Sequence, residues 1–463
     1  MIPNTHHYWL KNAQVPVSLL SDRSSDILAS AYQHPNAVLL GDDLAYVDIE
    51  IISGEIAQIV LAGRSETSDR PSVDLRRKQV WPCFVDMHTH LDKGHIWERA
   101  PNPDRTFAGA LQVVRADSEA HWDAEDVYRR MEFGLKCSYV HGTKAIRTHL
   151  DSFGEQAAIS FEVFKTLCRE WSDRIELQAA CLVSLDYYLT ADAETLADRV
   201  AEVGGVLGGV AYMNPDLDAQ LDRVFTLAKA RHLNLDFHAD ESGDPNDITL
   251  RHIAQAALRH QFEGQIVCGH CCSLAVQSPR DVDKTIHLVK DANIGIVSLP
   301  LCNLYLQDRN QQASQNFVQS ASDSPQPLQT GKMPRWRGVT LLHELSEHGI
   351  PVAIASDNCR DPFHGFGDHD ALEVFNLSAR IGHLDAPYGD WPRAITSTPA
   401  SLMGLPEIGK IGVGRCADLV IFKARGFSEL LSRPQSDRTV LRRGTAIETP
   451  LPDYDELDDL MAH

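Results

Sequence analysis

The sequence predicts an α/β fold: a (β/α)8 barrel, in the manner of a TIM barrel, with a small β-sandwich built from both chain ends. Three observations support this prediction. From about residue 83, short apolar runs rich in β-branched residues alternate with longer amphipathic stretches, as in repeated βα units. Eight such runs precede residue 358, and both flanks read as hairpins instead. At 463 residues the chain can form one large domain and a smaller one.

The eight apolar runs are the predicted barrel strands. In chain order they are CFVDMH, TKAIRTHLD, IELQAACLVS, VLGGVAYM, LNLDFHAD, GQIVCGH, IGIVSLP and PVAIASD. Between them, stretches such as EQAAISFEVFKTLCREW and LDRVFTLAKARH carry apolar residues every three or four positions, as amphipathic helices do. Strands joined by helical crossovers are parallel, so eight of them predict a closed barrel.

The flanks of these runs predict strands of a second kind. Residues 37–75, and near the other end GRCADLVIFKA and TVLRRGTAIET, read as hairpin strands. We therefore assign residues 1–82 to the N-terminal part of the sandwich, 83–400 to the barrel, and 401–463 to the C-terminal part of the sandwich and a tail. The polar stretch 307–335 is long for a loop, and it is either a lid at the site mouth or disordered.

Composition limits the partners that the protein can have. The formal charge is -21, which repels nucleic acids and anionic membranes and favours a small-molecule substrate. The start lacks a basic region followed by an apolar core, and no apolar run is long enough to cross a membrane, so we expect a cytoplasmic protein, with a homo-oligomer left open. Ten cysteines without a regular framework predict reduced thiols and no disulfides.

Histidines and an aspartate collect where predicted strands end. His88 and His90 are two apart at the end of the first strand, so their side chains point to the same side. Alone, this pair could equally be solvated loop histidines. However, the fifth strand ends near His238, the sixth at His270 and the eighth at Asp357. Imidazole nitrogens and a carboxylate suit zinc or ferrous iron, with a position left for water.

These motifs resemble those of the amidohydrolase superfamily, and most of all its cytosine deaminase branch. The matching segments are HTH at 88–90, RTHLD at 147–151, HADES at 238–242, CGHCC at 268–272, the NLYLQ segment at 303–307, ASDNCRDP at 355–362 and GKIGVGRCADLVIF at 409–422. The resemblance covers most of the chain and implies a barrel that binds one divalent metal ion per chain, zinc or iron. The third and fourth strands contain no lysine to bridge two metals, so a mononuclear centre is expected.

The resemblance also implies roles for individual residues. The metal ligands would be His88, His90, His238 and Asp357. Glu241, three residues beyond His238, is our choice for the acid/base that shuttles protons. Asp357 would also take a proton from the attacking water, and His270 would hydrogen-bond that water instead of binding the metal. His149 and Asp151 are either outer supports of this centre or an ordinary polar network.

Three functions fit these residues. The leading one is a metal-dependent hydrolytic deaminase of a small aminated N-heterocycle, which releases ammonia. The alternative is an amidohydrolase that cleaves a cyclic amide, or an N-alkylamino group from a triazine-type ring. The third is a metal-binding or ligand-binding protein without turnover. Deaminases of the H-x-E and P-C-x-x-C type are excluded, since the chain has no H-x-E.

Three positions argue against cytosine as the preferred substrate. Aligned with the family, Ser184 stands where cytosine deaminases have a glutamine, Asn358 where they have a second aspartate, and Phe363 where they have a tryptophan. A serine is too short to make both hydrogen bonds of the glutamine, and asparagine can donate where aspartate only accepts. We therefore expect a larger or differently substituted ring.

Overall fold

A computed structural model describes residues 2–21, 43–65, 70–309 and 333–462. Contacts divide the chain into two units. The first contains Met1–Met87, Lys136–Ile146 and Asp370–Leu451, and the second contains His88–Leu135, Arg147–His369 and Pro452–His463. The domain boundaries given above from the sequence remain a prediction.

The strands of the described residues are numbered in chain order. They are β1 His7–Pro16, β2 Leu44–Ile52, β3 Glu55–Leu61, β4 Ser72–Asp74, β5 Val80–Pro82, β6 Phe84–Thr89, β7 Thr143–Asp151, β8 Glu176–Leu182, β9 Leu207–Val210, β10 Leu235–Ala239, β11 Ile266–His270, β12 Ile294–Ser298, β13 Val352–Ile354, β14 Leu419–Ile421, β15 Thr439–Arg442 and β16 Thr445–Ala446.

The α-helices of the same residues are numbered in the same way. They are α1 Phe107–His121, α2 Ala124–His141, α3 Gln156–Trp171, α4 Ala193–Glu202, α5 Leu217–Arg231, α6 Thr249–His260, α7 Pro279–Asp291, α8 Pro300–Leu306, α9 Leu342–Glu347, α10 Ala371–Ile381, α11 Ser397–Leu402, α12 Phe427–Leu430 and α13 Asp458–Met461. The two helices quoted from the sequence are α3 and α5, and both bury the apolar side predicted for them.

Two four-stranded sheets occupy the first unit, in the orders β3-β2-β1-β4 and β16-β15-β14-β5. One hydrophobic cluster joins them, since it contains Leu10 and Ile49 of the first sheet together with Leu419 and Leu441 of the second. Burying the apolar faces of two sheets against one another is the usual solution for a sandwich. These two sheets are consistent with the predicted β-sandwich from both chain ends.

Strands β6 to β13 correspond one for one to the eight predicted barrel strands. Strands β9 to β13 pair in parallel in chain order, and β6, β7 and β8 form a second sheet. Parallel bridges between Ala180 and Val206 and between Ser184 and Val210 connect the two sheets on one side. A parallel bridge between Thr89 and Asp357 connects them on the other, so the ring closes. This arrangement is consistent with the predicted (β/α)8 barrel.

Some expectations lie partly or wholly outside the described residues. The predicted lid at 307–335 is described only at its two ends, because residues 310–332 are not described. Its position at the site mouth therefore stays a prediction. Within the described part of the chain, no helix combines the length and apolar character that a membrane crossing requires. No disulfide joins any of the ten cysteines, all of which lie in described residues.

Candidate metal and proton-transfer site

The ends of the barrel strands bring together the four side chains that were predicted to bind metal. His88 lies on β6 and His90 just beyond it, His238 lies on β10, and Asp357 follows β13. The Nε2 atom of His238 is 3.1 Å from Nε2 of His88 and 3.4 Å from Nε2 of His90. Oδ1 of Asp357 is 3.1 Å from Nε2 of His90 and 3.7 Å from Nε2 of His88.

This geometry fits a metal ion. Zinc bonds to nitrogen and oxygen measure about 2 Å, so the ligand atoms of a tetrahedral centre lie roughly 3 to 3.5 Å apart. All four side chains are buried, three of the four separations lie in that range, and the fourth, 3.7 Å between Asp357 and His88, is slightly longer. Burial, together with the charges of neighbouring histidines or Lys93, holds the pKa values of His88, His90 and His238 well below the usual value. The imidazoles are therefore neutral, which is the form that binds metal.

Next to the four ligands lies a triad of Glu241, His270 and Asn303. Oε1 of Glu241 is 3.2 Å from Nδ1 of His270. The side-chain amide of Asn303, on α8, donates to both atoms, over 3.2 Å to Glu241 and 3.0 Å to His270. Sequence analysis did not single out Asn303, although it opens the NLYLQ segment of the resemblance. Its contacts fix the orientation of both neighbours.

The protonation states of this triad follow from its burial. Burial first, and then the charge of Asp357, raises the pKa of Glu241 well above its usual value, which favours the protonated form of this carboxyl group. Burial lowers the pKa of His270 to about 3, so this imidazole is neutral. Because Asn303 donates to Nδ1, the assigned proton of His270 lies on Nε2. Within the described residues that Nε2 has no hydrogen-bond partner, and it is available to a water molecule or substrate.

The backbone at these strand ends is unusual. His270 has φ +68° and Asp357 has φ +64°, the left-handed region that residues with a Cβ seldom adopt. The residue before His270 is Gly269, where a Cβ would lie 2.8 Å from Cε1 of His88. A side chain at this glycine would displace the His88 imidazole. Backbone conformation and close packing together therefore position the ligand atoms.

A second layer of charged groups lies beside this centre. Lys93, which sequence analysis missed, forms a buried ion pair with Asp151 at 2.7 Å. Asp151 donates its backbone N–H to Asp92 over 2.8 Å. Burial, and then the charge of Asp151, raises the pKa of Asp92 to about 7. Burial opposes the charge of Lys93, but the carboxylates of Asp151 and Asp92 outweigh it and raise the pKa of Lys93.

His149 lies against the ligand cluster. Its ring centroid is 4.0 Å from that of His88, and its Nε2 is 3.9 Å from Asp236. Arg147 holds Asp236 through an ion pair of 2.7 Å. His149 thus lies beside His88, and Asp151 pairs with Lys93; the ion pair of Arg147 with Asp236 next to His149 was not predicted from the sequence.

Breaking the Lys93 pair should destabilise the fold. We expect Lys93→Met to lower the free energy of unfolding by about 3 to 5 kcal/mol, because it leaves buried carboxylates without their cation. Chemical denaturation of purified protein measures this change. The double variant Lys93→Met/Asp151→Asn is the control, since it removes one of those carboxylates and should recover part of the loss. A change below about 1 kcal/mol in the single variant would contradict the expectation.

The three residues predicted to contact substrate lie in different settings. Ser184 follows β8, and its hydroxyl donates to Asp186. The amide of Asn358 donates to Asp361 over 2.7 Å, and its oxygen accepts from the thiol of Cys302 at 3.5 Å. Phe363 is largely buried, and the Lys93 ammonium lies 5.4 Å from its ring centroid. No contact described in the structure joins the hydroxyl of Ser184 to the ligand cluster.

Comparison with known sequences gives two findings. A model of the Amidohydrolase family matches residues 133–448 of the chain. The pterin deaminase of Rhizobium rhizogenes strain K84 is 48% identical over 460 residues, which are 99% of this chain and 98% of that protein. The similarity to this relative therefore extends over both units.

Comparison with solved structures concerns the fold alone, because the identities are low. The 5-methylcytosine deaminase of Klebsiella pneumoniae, liganded with 5-fluorocytosine, has a TM-score of 0.75 at 22% identity, over 96% of this chain and 98% of that chain. An adenosine deaminase of Xanthomonas campestris with bound zinc has a TM-score of 0.61 at 18% identity, over 98% of this chain and 97% of that chain. Both share the arrangement of elements described above.

Proposed function

The chain belongs to the amidohydrolase family, and from this premise we propose that it is a metal-dependent hydrolytic deaminase whose substrate is a pterin. The observation that carries the proposal is the 48% identity to a pterin deaminase over almost the full length of both chains. The buried cluster of three histidines and an aspartate, beside a glutamate whose pKa is raised, supports the reaction type. In the reaction, the amino group of the ring leaves as ammonia and a carbonyl replaces it.

The ligand set would be His88, His90, His238 and Asp357, and we propose zinc as the resident ion. Three imidazoles and one carboxylate are donors that zinc accepts readily. Zinc is also the ion bound in the structurally similar adenosine deaminase. A divalent ion bound there would supply one property, since it lowers the pKa of a water molecule from about 15.7 towards ~7.

The residues of the chain move the protons. Glu241 holds a proton and can donate it to the ring nitrogen next to the carbon under attack, which makes that carbon more electrophilic. Asp357 accepts a proton from the attacking water, and the Nε2–H of His270 orients that water. The proton held by Asp357 then passes to the exocyclic nitrogen, and the carbon–nitrogen bond breaks so that ammonia leaves. The new hydroxyl group gives its proton to Glu241 as the ring carbonyl forms. Through its hydrogen bonds, Asn303 holds the side chains of Glu241 and His270 in position during these steps.

The residues predicted to bind substrate favour a larger ring than cytosine. Ser184 has a shorter side chain than the glutamine that it replaces, so its hydroxyl leaves room for a second fused ring. Phe363 and the Lys93 ammonium above it form an aromatic and cationic wall. A pterin presents a flat two-ring system with several acceptor atoms, which such a wall can contact.

The test is a substrate panel. We expect kcat/KM for pterin to exceed that for cytosine by about 100-fold or more, since two mismatched polar contacts cost about 1 to 3 kcal/mol each. Ammonia release from pterin, cytosine, isocytosine, creatinine and an N-alkylamino triazine measures this difference. Higher kcat/KM for cytosine would contradict the proposal. Release of an alkylamine from the triazine would favour the alternative amidohydrolase, and absence of turnover with every compound would favour a binding protein.

A further inference from the structure

A second buried cluster of ligand side chains lies outside the residues assigned to the catalytic centre. It consists of His95, Cys359 and His369, whose ligand atoms all lie within 4.8 Å of one another. Nε2 of His95 is 3.1 Å from Nε2 of His369. All three residues are at most 2% exposed. They come from three separate segments, after β6, after β13 and before α10.

The separation of the imidazoles in this cluster can be compared with that in the catalytic centre. There, the closest pair of imidazole Nε2 atoms is also 3.1 Å apart, between His88 and His238. The separation between His95 and His369 is therefore the same as that between two of the proposed catalytic ligands. A hydrogen bond between the two rings would account for that distance. A hydrogen bond between the two rings would give the nearby Cys359 thiol no role, whereas a metal ion would bind this thiol as a ligand.

The surrounding structure holds the three side chains in place. His95 and His369 have φ +62° and φ +53°, a conformation that a residue with a Cβ adopts at an energetic cost. The His95 ring packs edge-on against Phe133, with centroids 4.8 Å apart. The backbone N–H of His95 donates to the carbonyl of Cys359 over 3.1 Å, and the backbone N–H of His369 donates to the Cys359 sulfur. These contacts hold the backbones of the three residues and the His95 ring in fixed positions.

From these observations we propose that His95, Cys359 and His369 form a second metal site, which binds zinc and has a structural role. Two imidazoles and a thiolate are donors that zinc prefers, and binding would release the thiol proton to solvent. The ion would join the segment that follows His90 to the segment that follows Asp357. It would therefore brace the two loops that carry catalytic ligands, and the chain would bind two ions where the sequence led us to expect one.

Cobalt substitution tests the proposal, because sulfur ligation distinguishes the two sites. The catalytic ligands are nitrogen and oxygen atoms, so only the second site can give a sulfur-to-cobalt charge-transfer band in the near ultraviolet. We expect wild-type protein loaded with Co²⁺ to show this band. We expect zinc-loaded protein to contain two equivalents by elemental analysis. Anomalous diffraction at the zinc edge should locate the second ion between His95 and His369.

Variants separate the site from the rest of the protein. Cys359→Ser should lose the charge-transfer band and about one equivalent of zinc. Cys168→Ser is the matched control, since Cys168 lies on α3 outside the cluster and should keep both. If Cys359→Ser fails to fold, the wild-type spectrum and diffraction still decide the question. One zinc per chain, no sulfur band and no second anomalous peak would overturn the proposal.

Discussion

Replacing Glu241 with glutamine should lower kcat by about 100-fold or more while the protein keeps its catalytic metal. General acid/base catalysis commonly contributes a factor of this size, and an amide can neither give up nor accept the proton. The four proposed ligands lie on other residues, so the substitution leaves their donor atoms unchanged. The isosteric amide also retains the shape of the buried side chain and can accept a hydrogen bond from Asn303.

The dependence of kcat on pH sharpens this prediction. Burial raises the pKa of Glu241, and the active form carries the proton, so activity should be present below that raised pKa and fall as pH rises through it. In Glu241→Gln, the remaining kcat should not show this fall as pH rises. Glu263→Gln, at an exposed glutamate, is the control and should behave as wild type. Unchanged kcat in Glu241→Gln, with metal content intact, would place the proton transfer on another residue.

Loss of the catalytic metal is the second large effect. We expect His90→Ala, or prolonged chelation of the wild type, to reduce turnover by about 1,000-fold or more, because unassisted water with a pKa near ~15.7 is a poor nucleophile at neutral pH. Re-addition of zinc should restore activity to the chelated wild type and leave the variant inactive. Steady-state ammonia release and elemental analysis measure both quantities.

The same variant distinguishes the two proposed sites. His90→Ala should lose one equivalent of zinc and keep the sulfur-to-cobalt band, since that band belongs to Cys359. His287→Ala, at an exposed histidine on α7, is the control and should retain metal and turnover. Full activity in His90→Ala would show that this histidine is not part of the catalytic centre.

The strand ends explain why so much of this site could be predicted from sequence. His88, His238, His270 and Asp357 each stand at the end of an apolar run, and parallel strands of a barrel end on one face. The convergence of the side chains then follows from the fold class alone. By contrast, β1 was not recognised, because its register shifts between Leu10 and Ala13 and the alternation of apolar and polar residues breaks there.

Other residues could not be found without the three-dimensional structure. Asn303 lies on a short helix, where an asparagine has many ordinary roles, and only its distances to Glu241 and His270 reveal its part. Lys93 meets its partner Asp151 across 58 positions of sequence. The ligand atoms of His95, Cys359 and His369 meet only when three distant segments pack together, so each residue in isolation reads as a buried side chain.

The left-handed backbone at His270 and Asp357 has a consequence for the mutational freedom of this enzyme. A position with positive φ penalises β-branched and bulky residues whatever their chemistry, so a library at these positions would contain few variants that still fold. Ser184, by comparison, has an ordinary extended backbone with φ -71°, where most side chains are compatible with the fold. New substrate ranges should therefore arise from proposed substrate-contact positions such as Ser184, while the proposed catalytic positions stay fixed by their own conformation.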